Sequence, residues 1–305
     1  MNTATKTIAI SGKTKSKEWK LIFIGIVFAF LWASASTATK IGLDSAQPFV
    51  ISIFRFLIAG TIMLFVTHLV MRNRMPSKKE WIQISIYGVL NISFYLGLYV
   101  IAMQQVSAGL GSLAVATNPV FIALMSAVWL SHKIRFQNIL SLILCFVGVI
   151  LAAYPLLQNS FATLNGILIL LASMIAYSLG TIYYSRSNWN GLHILTINGW
   201  QTIIGGIFLL PVLVATYQPN QNIFDAKFWA SVSWLAITVS IGAVQFWLHL
   251  LKNNPIKASY WLFLCPIFGF IIAHFMMNEP ISLYTFLGVA FVISGLYISM
   301  SLKNK

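Results

Sequence analysis

Ten separate runs of mainly apolar residues, parted by short polar gaps, constrain this chain more than any other feature. A helix needs about 20 such residues to cross a hydrocarbon core of roughly 30 Å. The runs fall at about 21–39, 49–71, 81–103, 108–130, 137–155, 164–184, 194–214, 228–250, 258–277 and 283–302. Between them stand turn and charge signals such as Arg72-Asn73-Arg74-Met75-Pro76, Ser187-Asn188-Trp189-Asn190-Gly191 and Gln218-Pro219-Asn220. No gap has room for a soluble domain, so the chemistry must take place within or beside a bilayer. The sequence therefore predicts an all-α polytopic membrane protein with ten transmembrane helices. Composition agrees, since 59% of the 305 residues are hydrophobic and 8% charged, where a soluble domain has about a quarter charged.

The formal charge of +14 points either to a polyanion partner or to a signal of membrane sidedness. Position decides between them. With the N-terminus inside, Lys6, Lys13, Lys15, Lys17, Lys20, Arg72, Arg74, Lys78, Lys79, Lys133, Arg135, Arg186, Lys252, Lys257, Lys303 and Lys305 all fall on the cytoplasmic side. Of the 19 Lys and Arg, only Lys40, Lys227 and Arg55 do not. Both termini are expected in the cytoplasm of a cell (inner) membrane protein, and no nucleic-acid partner is implied. Trp19, Trp81, Trp129, Trp189 and Trp229 stand at run ends, as an aromatic belt requires. The basic leader and the small residues Ala33-Ser34-Ala35-Ser36 also resemble a secretory signal. Cleavage would discard one of the ten runs and spoil the repeat described next, so the first run counts as a span.

The two halves of the chain correspond at a nearly constant offset. Trp32 meets Tyr177, Arg55 meets Trp200, Gly60 meets Gly205, Pro119 meets Pro266, Ser131-His132 meets Asn278-Glu279, and Gly148 meets Gly295. The first run thus pairs with the sixth, the second with the seventh, the fourth with the ninth and the fifth with the tenth. Five helices per half is odd, so the second half enters the membrane from the opposite side. Such inverted repeats place a substrate site near the midplane where the halves meet.

Particular stretches carry a family resemblance. Ala29-Phe30-Leu31-Trp32-Ala33-Ser34, then Lys40-Ile41-Gly42, Pro48 and Arg55-Phe56, resemble the first two helices of EamA-type permeases of the drug/metabolite transporter superfamily. Ala108 to Asn118-Pro119-Val120-Phe121 is similar to that family's fourth helix, and Ala258-Ser259, Cys265-Pro266-Ile267 and Asn278-Glu279-Pro280 to its ninth and the Gly-Glu step after it. Two positions depart from the pattern: His132 stands where the family carries its first Glu, and Asn278 where it carries Gly. The resemblance implies a cytoplasmic tail at 1–18, five-helix repeats at 19–155 and 156–302, and a tail at 303–305. It also implies efflux of amino acids, other metabolites or drugs.

Polar residues inside the runs narrow the site. Arg55 follows Pro48 by about two helical turns, roughly 10 Å below the outer boundary, and must face a cavity or a partner. Asp44 and Glu279 are its candidate partners. Tyr87, Asn91, Tyr95 and Tyr99 share one stripe of the third run, either lining a cavity or bonding to neighbouring helices. Trp32, Ser36 and Lys40 repeat the pattern in the first run, Ser173, Tyr177, Thr181 and Tyr184 in the sixth, and Thr238, Gln245 and His249 in the eighth. Pro119 and Pro266 are expected to kink mid-span helices, making a coordinating notch or a hinge. The small-residue tract Ser107 to Ser112 reads as a packing surface.

The candidate substrate-binding residues are Trp32, Asn91, Tyr95, Tyr99, Asn118, Tyr177, Trp200, Gln245 and Trp261; Lys40, Arg55, Pro119, Pro266 and Glu279 are candidate gate or structural residues. His68, His132, His193, His249 and His274 have no metal-ligand spacing, and Cys145 and Cys265 are expected as free thiols. No cofactor is expected. The expected partners are a small-molecule substrate and membrane lipid, with the chain acting as a monomer or weak homodimer. The five carboxylates, Glu18, Asp44, Glu80, Asp225 and Glu279, all avoid the membrane centre, which argues against a central proton relay. No intramembrane catalytic set and no charge ring or carbonyl filter is present, so a carrier is favoured over an enzyme or channel.

Overall fold

The structure, a computed structural model, describes residues 4–129, 136–159, 161–253 and 261–301. Its helices are α1 (Ala4–Leu43), α2 (Pro48–Leu64, closing in a π-helical turn Phe65–Val70), and α3, a rod of three pieces: Lys78–Gly88, π-helical Val89–Leu96 and Gly97–Met103. α4 has two segments, Ala108–Val115 and Asn118–Trp129. α5 (Phe136–Gln158), α6 (Leu164–Arg186) and α7 (Ile194–Thr216) follow. α8 is Ala226–Ser233, π-helical Trp234–Ala243 and Val244–Asn253. α9 (Leu264–Met277) is entered through the 3₁₀ turn Trp261–Phe263, and α10 is Leu283–Ser301. Seven are long and apolar enough to cross a bilayer alone, and Ala108–Ile122, Leu264–Met277 and Leu283–Gly295 are shorter apolar helices. Together they make the ten transmembrane helices in two inverted sets of five.

Helices are the form open chains take in lipid because every backbone group must find its partner internally. The outer surface is accordingly apolar, with Phe23, Leu69, Val214 and Phe275 all well exposed. Between the helices, packing follows the repeat. α2 lies on α7, α4 on α9 and α5 on α10, while α1 packs on α8 and α9 just as α6 packs on α3 and α4. Each half is therefore threaded through the other, and no five-helix unit closes on itself.

Glycine makes the closest of these contacts possible. A methyl group at Gly205 would stand 2.6 Å from the Gly88 carbonyl oxygen, and one at Gly288 would stand 2.5 Å from that of Gly148. Backbones approach this closely in membranes because dispersion and shape, rather than expulsion of water, hold helices together. The Ser107–Ser112 tract acts as the sequence suggested. Gly109 faces the Phe270 ring, Gly111 faces Met103, and Ser112 Oγ donates to the Cys265 carbonyl at 2.8 Å.

Two expectations change in detail. Pro119 does not kink a continuous helix: α4 ends at Val115 and restarts at Asn118, leaving Pro119 as the second residue of the new segment. There its missing N–H is no loss. Pro266 lies in the first turn of α9, directly after the 3₁₀ turn. The break thus recurs in both halves, with proline on the downstream side of each. The positions of Ser131-His132 and Ala258-Ser259, and the side chain of His249, lie outside the described residues.

Candidate functional site

The central feature is a cavity of about 90 Å³ enclosed where the two halves cross. α1 contributes Trp32, α2 contributes Arg55 and Phe56, and α6 contributes Tyr177. The π-helical piece of α3 contributes Asn91, Ile92, Tyr95 and Leu96, and that of α8 contributes Val239 and Ser240. These two π segments occupy corresponding places in the repeat, and π turns inserted in α-helices recur at functional sites. Tyr99, Asn198, Gln201 and Thr202 complete the polar part of the wall.

Arg55 is only 9% exposed, and its nearest partner is neutral: Nε donates to Ser240 Oγ at 2.9 Å. Its charged carbon lies 5.8 Å from the Phe56 ring centroid. The terminal guanidinium nitrogens donate to no described residue, and no described carboxylate lies within salt-bridge reach. The pairing expected with Asp44 or Glu279 is therefore not made. Glu279 is held by backbone at another place, as set out below.

The wall also carries a ladder of amides. Asn91 Nδ2 donates to Gln201 Oε1 at 3.3 Å, and Gln201 Nε2 donates to Asn198 Oδ1 at 2.8 Å. The ladder ends at Asn198 Nδ2, buried and without a partner. Tyr95 and Tyr177 meet edge to face with centroids 4.8 Å apart, and the Tyr99 hydroxyl donates to Ser36 Oγ at 2.9 Å.

Of the candidates read from sequence, Trp32, Asn91, Tyr95, Tyr99, Tyr177 and Arg55 meet at this cavity. Others do not line it. Trp200 lies toward the Arg74 end of the bundle, where Nε1 donates to His68 Nε2 at 3.1 Å and the ring packs edge-on to Trp81 at 4.6 Å. Its offset partner Arg55 misleads because inverted halves put equivalent residues on opposite sides of the midplane. Trp261 packs over Gly25 on α1, beside the Phe28–Trp247 stack. Asn118 is buried and Gln245 half-buried, each with one polar atom lacking a partner, Oδ1 and Nε2 respectively. Tyr87, on the same sequence stripe as Asn91, is drawn instead into a cluster with Tyr184 and Trp189.

Asn198, Gln201, Thr202 and Ser240 were not singled out from sequence. The first three sit three and four residues apart on α7, a spacing that marks one helical face. Ser240 carried no signal, because the π-helical register of α8 shifts it onto the wall.

The ends of the bundle are tied by charges that serve backbone. Lys40 Nζ donates to the carbonyl oxygens of Met103 and Val106 at 2.9 and 2.8 Å, where α3 terminates. The Glu279 carboxylate accepts from the N–H groups of Ala108 and of Gly109, the latter at 3.0 Å, where α4 begins. Ser107 Oγ takes the next N–H, that of Leu110, at 3.2 Å, so the first turn of α4 is fully bonded. Asn278 explains how Glu279 reaches there. At φ 54° it turns the chain off the end of α9 in a left-handed C-cap conformation, with Glu279 N bonded to the Ala273 carbonyl. Gly is the easiest residue at such a φ and Asn among the next, which accounts for the departure from the family pattern. At the other end, Arg74 forks onto Glu80 at 2.7 Å through both nitrogens and reaches the Asn190 carbonyl at 3.1 Å. Glu80 also accepts from Ser77 N at 2.7 Å. Cys145 and Cys265 are free and buried, and no group of His, Cys, Asp and Glu among the described residues could hold a metal.

Comparison with known proteins agrees with this architecture. The profile of the EamA-like transporter family matches residues 19–154 and again 164–301. An uncharacterized transporter of Archaeoglobus fulgidus is 25% identical over 92% of this chain and 98% of its own. Protein PecM of Dickeya dadantii is 24% identical over 89% and 90%. A WAT1-related chloroplastic protein of Arabidopsis thaliana is 24% identical over 95% and 71%. A crystal structure with 15% identity superposes with a TM-score of 0.66, covering 93% of this chain and 98% of the other, and supports the fold. With its whole length matched in two repeats, the chain belongs to the EamA-like transporter family.

Proposed function

We propose that this transporter is a secondary carrier of the cell (inner) membrane, with both termini cytoplasmic. It exports or exchanges a small amphipathic metabolite, an amino acid or a close relative, by alternating access around the central cavity. The observation that carries this reading is the cavity wall itself: aromatic rings, amides and hydroxyls around one buried cation, at the crossing of two inverted halves. Such a wall suits a ligand with an apolar body and a polar head. Its volume favours a metabolite over a drug-sized compound, whose pockets run to roughly 300 Å³ and more. Alternating access follows from the repeat, because the two ties at opposite ends of the bundle can open in turn about a fixed centre.

The test is a screen of metabolites released by cells that overproduce the protein, followed by counterflow in proteoliposomes. Saturable flux accelerated by substrate on the far side is expected. Flux that rises linearly with concentration, like a pore, would overturn the carrier mechanism. Reporter fusions at the C-terminus should be active only in the cytoplasm, and an external signal refutes the orientation.

A further inference from the structure

One charged group of the cavity is unmatched. The terminal nitrogens of Arg55 bond to no described residue, and Asn198, which lines the same wall, keeps one amide nitrogen without a partner. Buried donors without acceptors are costly, and a buried cation without an anion more so. Among the described residues, no carboxylate lines the wall. Glu80 is held by Arg74, Glu279 by the first turn of α4, and Asp225 by Phe228 N at 2.8 Å.

Resting on the carrier reading above, we propose that this site selects its substrate by a carboxylate, bound by the Arg55 guanidinium on the wall that Asn198 shares. A second part of the proposal concerns the amino group. With no anion on the described wall to meet it, an ammonium finds only neutral partners, the wall's amide and hydroxyl oxygens and its tyrosine rings. The substrate class is then small monocarboxylates with an apolar body, and the α-amino group is dispensable. Arg suits this role because its planar fork matches a carboxylate through two parallel N–H bonds. The amide ladder holds Asn198 in place, since Gln201 Nε2 donates to its carbonyl oxygen.

The experiment uses the full chain, purified and reconstituted in vesicles of phosphatidylethanolamine and phosphatidylglycerol. Four probes of similar body are compared: valine, 2-hydroxyisovalerate, valinamide and isobutylamine. Binding is read by ligand-induced thermal stabilisation and by competition for counterflow. The two acids should bind within a few-fold of each other, with the amide and amine at least about 30-fold weaker, as expected when a buried charge loses its partner. Arg55→Gln should weaken both acids by about 30-fold or more, and Arg55→Lys by less, since it keeps the charge and loses the fork. Asn198→Asp supplies an anion of the same shape, and should weaken the acids while raising affinity for isobutylamine. A gain of that kind cannot come from misfolding, so it tests the proposal even where Arg55→Gln fails to fold. Equal binding of valine and valinamide, or an Asn198→Asp variant with unchanged preference, overturns the carboxylate assignment and leaves the carrier standing. No saturable binding of any of the four by folded protein overturns both.

Discussion

Glu279 offers the sharpest test of how this fold is held, because its carboxylate is 4% exposed and is engaged with backbone alone. In Glu279→Ala, the N–H groups of Ala108 and Gly109 lose their acceptors at a buried helix start. Each orphaned donor costs about 1–3 kcal/mol, so the variant should lose about 2–6 kcal/mol. Glu279→Gln keeps one carbonyl oxygen and turns an NH₂ toward the second donor, which roughly halves the loss. It also removes the negative charge that favours a helix N-terminus, adding about 0.3–1 kcal/mol. The order wild type, Gln, Ala should appear in thermal unfolding in detergent and in hydrogen exchange of the 108–111 backbone, which should quicken in the same order. Glu279 does not line the cavity, so its loss leaves the cavity's own contacts in place. If both variants unfold alike, or if exchange at 108–111 stays at the wild-type rate, backbone capping is not what Glu279 does.

Other features are open to equally direct measurement. Gly205→Ala places a methyl 2.6 Å from the Gly88 carbonyl and 2.5 Å from Ile92 Cβ, so it should cost about 1–3 kcal/mol in unfolding measurements; wild-type stability would refute the close approach of α3 and α7. Trp200→Phe removes the bond to His68 and should cost about 0.5–1.5 kcal/mol with substrate affinity intact, and a large loss of affinity would place Trp200 in the site after all. The Phe228 N–H bond holds the Asp225 carboxyl below its ordinary range. Its cap on α8 is thus complete above about pH 4, the unfolded value, and weakens as pH falls toward the depressed folded value. Protection of the Phe228 amide, measured against its intrinsic exchange rate, should therefore fall on acidification, and Asp225→Asn should remove that dependence.

Sequence made the spans visible because lipid forces each one into a continuous helix with an apolar exterior, and made the inversion visible because an odd number of spans per half admits no other arrangement. It also brought out Tyr95, Tyr99, Asn91 and Tyr177, since polar tips spaced by one turn stand out in an apolar run. It failed where local register departs from the α-helix. The π segments at Val89–Leu96 and Trp234–Ala243 separate Tyr87 from its stripe and bring Ser240 to the cavity, and nothing in the residue pattern announces the wider i→i+5 bonding. It also missed the partner of Arg55. Opposite charge suggested Asp44 or Glu279, whereas Glu279 serves the start of α4, whose orphan N–H groups only become apparent once the helices are placed.

The threading of the halves bears on how the chain is made. Gly148 on α5 is complementary to Gly288 on α10, which is translated about 140 residues later. At about 5–20 residues per second, α5 waits in the bilayer for roughly 7–28 s before its partner emerges. During that interval lipid tails must cover a face shaped for backbone contact. A groove of glycine and alanine can wait in this way because it exposes no unmet polar group to hydrocarbon, whereas a polar seam would recruit whatever neighbour came first. The small residues between α5 and α10 thus permit close packing at the end of synthesis and keep the half-made protein from choosing a wrong partner before it.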